Sequence, residues 1–191
     1  MDTIDIENIG EKFFLVISSA EWKEFQEKYN KCNDIYVIGH GGNLAVADHT
    51  AIDLTRLSMK SGTGKNAVSP SSAVVATSLI NDSSFEDWMV QWLEARTRTR
   101  TLEQIKNSLV YAISSSGTSI DSIKALQWAS KKGMQIVVLT GQPLPVEIDN
   151  LTQVVLDTKY YHTGEVLALL LQYQLTHGSG ATCPAIPSME P

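Results

Sequence analysis

The chain has 191 residues, a length typical of one domain, and its composition of 43% hydrophobic and 19% charged residues is that of an ordinary globular protein. This composition excludes a chain that is disordered throughout, a collagen and a coiled coil. No apolar run reaches the ~18 residues of a membrane span. The net charge of −6 argues against nucleic acid or an anionic membrane as a partner, but one local site could still attract a small anion.

The ends and the two cysteines carry little information about chemistry. Cys32 and Cys183 form neither a disulfide framework nor a metal-binding knuckle, so we expect free thiols in a reducing compartment. The acidic N-terminus lacks the apolar core of a secretory signal, which favours the cytoplasm. Residues 177–191 are rich in proline and glycine without a period, and we expect a flexible tail.

The first predicted element is a helix near the N-terminus. Ser19 is a plausible N-cap, and Trp22, Phe25 and Tyr29 fall on one helical face. Further along, five short apolar runs predict strands buried on both faces of a sheet, at 35–38, 73–76, 109–113, 135–139 and 154–156. Helical periodicity fills most of the intervals, at 43–57, 84–95 (with Ser84 as N-cap), 119–132 and 164–175.

This alternation predicts an α/β fold, a three-layer α/β/α sandwich with a five-stranded, mostly parallel sheet. Ligands in such folds bind at the carboxyl ends of the strands. The segments that follow the predicted strands are therefore the place to look for a site.

Two loops at that edge have the composition of an anion site. Residues 39–43 read Gly-His-Gly-Gly-Asn between a strand and a helix, where glycine permits a tight turn and helix N–H groups are free. Residues 114–119 read Ser-Ser-Ser-Gly-Thr-Ser in the same context, so hydroxyls and free amides could cradle a phosphate. Neither loop is a dinucleotide fingerprint or a P-loop, so no nucleotide cofactor is expected.

The sequence resembles the SIS (sugar isomerase) domain family, and its phosphoheptose isomerase branch in particular. The resemblance rests on Gly-His-Gly-Gly-Asn with the helix to residue 54 and on the 114–119 loop. It is also carried by 80–82, Phe85, 93–95 and 123–141. It covers roughly residues 34–175 and implies a helical extension at 1–33, a flavodoxin-like SIS domain at 34–176 and association as a tetramer.

The resemblance also implies a set of site residues. The substrate-binding set is His40, Gly41, Gly42, Asn43, Ser114, Ser115, Ser116 and Ser119. His49 and Asp53, spaced i, i+4 on one helix face, correspond to residues that hold zinc in many members, and Gln172 is a third candidate metal ligand.

The last helix departs from the family pattern. Where the family has a histidine that binds zinc and transfers protons, this chain has Leu170 or Gln172, depending on the register. The candidate catalytic residues are therefore Asp53, Glu165 and His162, with Glu165 as a possible base and His162, His40 or a metal as the acid.

The function that we expect is aldose–ketose isomerisation of a sugar phosphate, with sedoheptulose 7-phosphate and a heptose 7-phosphate as the most suitable pair. Zinc is a candidate cofactor. Two alternatives stay open, a non-catalytic regulator that binds a sugar phosphate and a module that binds a protein partner. The 58–72 segment is interpreted as a flexible loop whose Lys65 could reach the site, and the arginines of 96–100 as a solvated helix end or a subunit contact.

Overall fold

The computed structural model describes residues 8–62 and 65–180. Within these residues the chain forms five strands and eight helices. The strands are β1 (Asp34–Gly39), β2 (Asn66–Val68), β3 (Ser108–Ser114), β4 (Gln135–Thr140) and β5 (Leu151–Val155). The helices are α1 (Ile9–Ser18), α2 (Ala20–Lys31), α3 (Gly42–Ser61), α4 (Ala73–Asp82), α5 (Trp88–Thr97), α6 (Leu102–Lys106), α7 (Ile120–Lys131) and α8 (Tyr161–Gly178).

The strands form one sheet in the order β2-β1-β3-β4-β5, and every pair is parallel. Gly39 at the end of β1 pairs with Ile113, and Ser114 at the end of β3 pairs with Thr140. The loops after β1 and β3 therefore leave the same edge of the sheet from neighbouring strands. The predicted α/β fold with a five-stranded parallel sheet is confirmed.

Two separate hydrophobic cores hold the layers together. Alternate residues of the central strands point to opposite faces of the sheet. One face, with Val37 and Tyr111, packs against α1, α2, α3 and α8. The other face, with Ile38 and Val110, packs against α4, α5 and α7. Burial on both faces explains why these strands are continuous apolar runs in the sequence.

The N-terminal extension contains two helices where we predicted one. Ser19 separates them, and its side chain accepts a hydrogen bond from Trp22 N at 3.0 Å, as expected of an N-cap. Trp22, Phe25 and Tyr29 are fully buried in the first core. The extension thus packs as part of the main body.

The predicted strand at 73–76 is wrong, because these residues begin helix α4. Val75, Ala76, Leu79 and Ile80 pack on the second core, whereas Val74 is exposed. That spacing is helical, and it emerges only when the window extends past residue 76. A run of four apolar residues cannot by itself distinguish a strand from a turn of helix.

The second strand lies instead in the segment that we interpreted as a flexible loop. Strand β2 pairs with the first half of β1. The ammonium group of Lys65, just before it, donates to the carbonyls of Tyr29 (2.6 Å) and Cys32 (2.7 Å). Lys65 therefore caps the carboxyl end of α2, at the opposite edge of the sheet from the predicted site.

Three further predictions concern particular segments. Helix α5 begins at Trp88 and not at Ser84, whose hydroxyl caps the preceding turn by accepting from Asp87 N at 3.2 Å. Cys32 is a buried free thiol, and burial raises its pKa to about 11. Cys183 and the predicted tail from residue 181 onward lie outside the described residues, while residues 177 and 178 belong to α8.

None of the described helices has the length and apolar character of a membrane span.

Candidate active site

The glycine loop and the serine loop contact each other at the carboxyl edge of the sheet. The Asn43 amide donates to Ser115 Oγ at 3.0 Å, which ties the start of α3 to the loop after β3. Gly41 has φ +51° and Gly117 has φ +67°, conformations that side chains other than glycine rarely adopt. Glycine at these two positions lets each loop turn directly from a strand into a helix.

The serine loop retains hydroxyl groups that the fold does not use. Ser114 Oγ is buried and has no hydrogen-bond partner among the described residues. Ser119 precedes α7, and its side chain makes no cap hydrogen bond. Ser116 accepts from Thr118 N at 3.2 Å and from the Thr118 hydroxyl at 3.1 Å. Together with the N-terminal end of α7, these hydroxyls are suited to hold a phosphate.

The first turn of α8 crosses both loops. A Cβ added to Gly164 would lie 3.0 Å from Ser115 Oγ, so this helix approaches the serine loop closely. A Cβ added to Gly42 would collide with the carboxyl group of Glu165. The Glu165 carboxylate therefore packs directly on the glycine loop, and a carboxylate at that place can act as a base.

His40 and Asp121 form a second polar contact between the loops. His40 Nε2 lies 2.6 Å from Asp121 Oδ2, close enough for an ion pair with a protonated ring, although the two atoms lack hydrogen-bond alignment. Trp88 Nε1 donates to the same Asp121 oxygen at 2.7 Å. The sequence offered no signal for Asp121 or Trp88, because their roles depend on α5 and α7 lying side by side.

His49 and Asp53 lie apart from these loops. Their side chains contact each other at 3.0 Å, and the Tyr173 hydroxyl lies 3.2 Å from His49 Nε2. Asp53 follows Gly42 by about three turns of α3, roughly 16 Å along the helix axis. Within one chain, Asp53 and Glu165 therefore do not act on the same atom, and the structure brings only Glu165 to the loops.

The donors near His49 do not complete a zinc site within one chain. Zinc sites in proteins have about four ligands, usually His, Cys, Asp or Glu. His49 and Asp53 supply two, and residues 8–62 and 65–180 contain no group of three such side chains placed to hold one ion. Gln172 is buried. Around the axis of α8 it lies about 100° from Tyr173, the residue that contacts His49, so the two side chains point in different directions. Zinc stays a prediction.

Of the other candidate catalytic residues, His162 is exposed in the first turn of α8. It has no side-chain contact comparable to that of Glu165. Gly164, which we did not predict as a site residue, is explained by its closeness to Ser115. Only the packing of α8 on the loops reveals its role.

The fold and the two loops resemble those of SIS-domain proteins. In sequence, the chain is similar to phosphoheptose isomerases. A phosphoheptose isomerase of Buchnera aphidicola (subspecies Schizaphis graminum) is 32% identical over 136 residues, which is 71% of this chain. The match spans only 62% of that relative's own length. No family model matches the chain.

Solved structures share the fold at lower identity. The phosphoheptose isomerase of Neisseria gonorrhoeae superposes with a TM-score of 0.75 at 19% identity, over 90% of this chain and 91% of that one. The NanR protein of Vibrio vulnificus, solved in complex with ManNAc-6P, superposes with a TM-score of 0.58 at 20% identity, over 90% of this chain and 59% of that one. These similarities agree with the fold that the strand order defines.

Proposed function

We propose that the chain is an aldose–ketose isomerase of sugar phosphates, with sedoheptulose 7-phosphate as the first substrate and a heptose 7-phosphate as its product. The observation that carries the proposal is the packing of the Glu165 carboxylate on Gly42, beside a loop suited to bind phosphate. A base and an anion cradle at one sheet edge are what this reaction needs. The phosphoheptose isomerases among the relatives support the same substrate class.

The reaction moves two protons between neighbouring atoms. The serine loop holds the phosphate, and Glu165 takes a proton from the carbon next to the carbonyl group. The electron pair forms a carbon–carbon double bond, and the carbonyl oxygen gains a proton, which gives an enediol. Return of the first proton to the other carbon, with loss of a proton from the other oxygen, completes the isomerisation.

An assay with sedoheptulose 7-phosphate, read by NMR, tests the proposal. Pentose and hexose phosphates, added zinc and a chelator complete the set of conditions, because the His49–Asp53 pair could contribute to a metal site. We expect turnover by the wild type and a loss of about 10²- to 10⁴-fold in kcat for Glu165→Gln. The matched control is Glu147→Gln, which changes an exposed glutamate and should leave kcat unchanged.

The double variant Ser116→Ala, Ser119→Ala tests the phosphate cradle in the same assay. It should raise KM and abolish the increase in melting temperature that the sugar phosphate produces. No turnover of any sugar phosphate, with an increase in wild-type melting temperature on binding, would contradict the isomerase and support a sugar-phosphate-binding protein. Unchanged KM in the double variant would mean that the phosphate binds elsewhere.

We further propose a homotetramer, as the resemblance implies, and a cytoplasmic location. Exposed apolar side chains on two neighbouring helices support self-association. Val166, Leu170 and Tyr173 form a stripe on α8, and Ile52 and Met59 are exposed on α3. A second subunit would remove these side chains from water.

A further inference from the structure

Asp121 is a carboxylate buried where the two loops meet, and its surroundings are informative. It is the second residue of α7 and has no solvent-exposed surface. Its Oδ2 faces Trp88 Nε1 and His40 Nε2, and its Oδ1 accepts from Ser122 N at 2.9 Å. A helix N-terminus favours an acidic residue. That preference can be met at the surface, however, and it does not explain why a carboxylate is buried, because removing a charge from water is costly.

His40 is the partner of Asp121 that reaches the ligand side. Its ring contacts those of Phe85 and Trp88, with centroid distances of 5.5 and 6.1 Å. Nε2 is buried, whereas 30% of the side chain is exposed, so the exposed part of the ring faces away from Asp121. The two aromatic rings and the carboxylate together limit the positions that the imidazole can take.

Glu165 lies on the other side of the same short loop. Its carboxyl group packs on Gly42, two residues after His40. A carboxylate and an oriented imidazole thus flank the glycine loop, next to the phosphate cradle. Enediol chemistry needs these two groups, a base for the carbon-bound proton and an acid–base group for the oxygens.

We propose that His40 is the catalytic acid–base group that carries the proton between the two substrate oxygens, and that Asp121, held by Trp88, is its positioning residue. This inference rests on the proposed isomerase function. It assigns the proton transfer that the missing histidine of α8 leaves open.

The proton balance is simple. Glu165 removes the proton from carbon 1, and the protonated ring of His40 gives its outward N–H proton to the carbonyl oxygen on carbon 2. The neutral ring then takes the proton from the hydroxyl on carbon 1 as that carbon becomes the aldehyde, and Glu165 returns its proton to carbon 2. Asp121 faces Nε2 throughout and compensates the positive charge of the protonated ring.

Steady-state kinetics of three variants test the assignment. We expect His40→Gln to lower kcat by about 10²- to 10⁴-fold with KM changed by less than about threefold, because proton transfer and not binding is lost. Asp121→Asn should lower kcat by on the order of 10²-fold, since the ring loses its orientation. Trp88→Phe should lower kcat less, with the same sign. Matched controls are His177→Gln and Asp149→Asn, both exposed.

Two further readouts separate catalysis from a merely structural role. Added imidazole should restore part of the kcat of His40→Ala, because it can occupy the space that the missing ring leaves beside Phe85 and Trp88. In wild-type protein the ¹⁵N shifts of the His40 ring should show Nε2 protonated. Asp121→Asn should change the protonation of Nε2, while the remaining NMR signals show that the variant is still folded. The proposal would be overturned if imidazole did not restore activity, or if the ¹⁵N shifts of the His40 ring were the same in wild type and Asp121→Asn.

The outcomes distinguish this inference from the function on which it rests. If the wild type turns over sugar phosphate and His40→Gln keeps its kcat, the role of His40 is wrong while the isomerase stands. If the wild type turns over no sugar phosphate under any condition, the proposed function falls, and this inference falls with it.

Discussion

Gln172 is buried in α8, and neither atom of its amide has a partner among the described residues. Leaving a buried polar group unpaired costs about 1–3 kcal/mol. Native proteins keep few such groups, and a functional reason is one explanation for those that they keep. Gln172 was among the residues that the family resemblance pointed to, so we expect its amide to serve a ligand.

The substitution Gln172→Met tests this expectation. Methionine fills a similar volume without unpaired polar atoms, so the free energy of unfolding should rise by about 1–3 kcal/mol, measured by urea denaturation. The value of kcat/KM should fall at least about tenfold, which corresponds to a loss of ~1.4 kcal/mol in transition-state stabilisation. Gln174→Met, on the half-exposed side of the same helix, should change neither quantity. If the Gln172→Met variant were stabilised and fully active, Gln172 would have no role in the site.

At the scale of elements, the start of α8 completes the candidate active site, because it contacts both loops and carries the proposed base. Glu165 packs against Gly42 at the start of α3, and Gly164 approaches Ser115. Both contacts need a glycine on one side, because a side chain there would separate the helix from the loops. The position of the proposed base thus depends on the absence of a methyl group on another element.

The substitution Gly42→Ala should therefore displace the Glu165 carboxylate while leaving the glutamate itself unchanged. We expect kcat to fall by at least about tenfold. The matched control is Gly10→Ala in α1, where an added Cβ has no atom within 4 Å. That control should keep full kcat and gain roughly 0.5–1 kcal/mol in unfolding free energy, because alanine favours the helix. Equal kcat in the wild type and Gly42→Ala would separate Glu165 from the chemistry.

Elements were predictable from sequence where the pattern was long or was buried on both faces. Strands β1, β3 and β4 and helices α3 and α7 follow from apolar runs and helical spacing, whereas the predicted run at 154–156 overlaps only the end of β5. Strand β2 was missed because three residues carry no period. Residues 73–76 were assigned to a strand because their helical spacing continues into residues 79 and 80. The general limit is the length of the window over which a period can be read.

At the scale of the whole molecule, exposed apolar stripes on α3 and α8 favour assembly through helices. We expect the wild type to have the mass of a tetramer by light scattering after gel filtration. Leu170→Glu, in the middle of the α8 stripe, should shift the mass to smaller species, because burying a carboxylate in an apolar contact is costly. Leu102→Glu, on exposed α6, should leave the mass unchanged. A monomeric wild type would contradict the proposed tetramer.

The site was predictable only in the parts that are continuous in sequence. The glycine and serine loops follow their strands directly, so residue types and position were enough to select them. The contact between His40 and Asp121 joins residues far apart in the chain, and only the strand order brings them together. A pattern along one chain holds no signal for a pairing of this kind.

The brevity of β2 also bears on how the protein avoids aggregation. A long, flat edge strand exposes unpaired backbone groups to which another chain can add. Strand β2 offers only three residues at its edge, and Pro70, which cannot donate a backbone hydrogen bond, follows two residues later. Open-ended growth by strand addition at this edge of the sheet is therefore disfavoured.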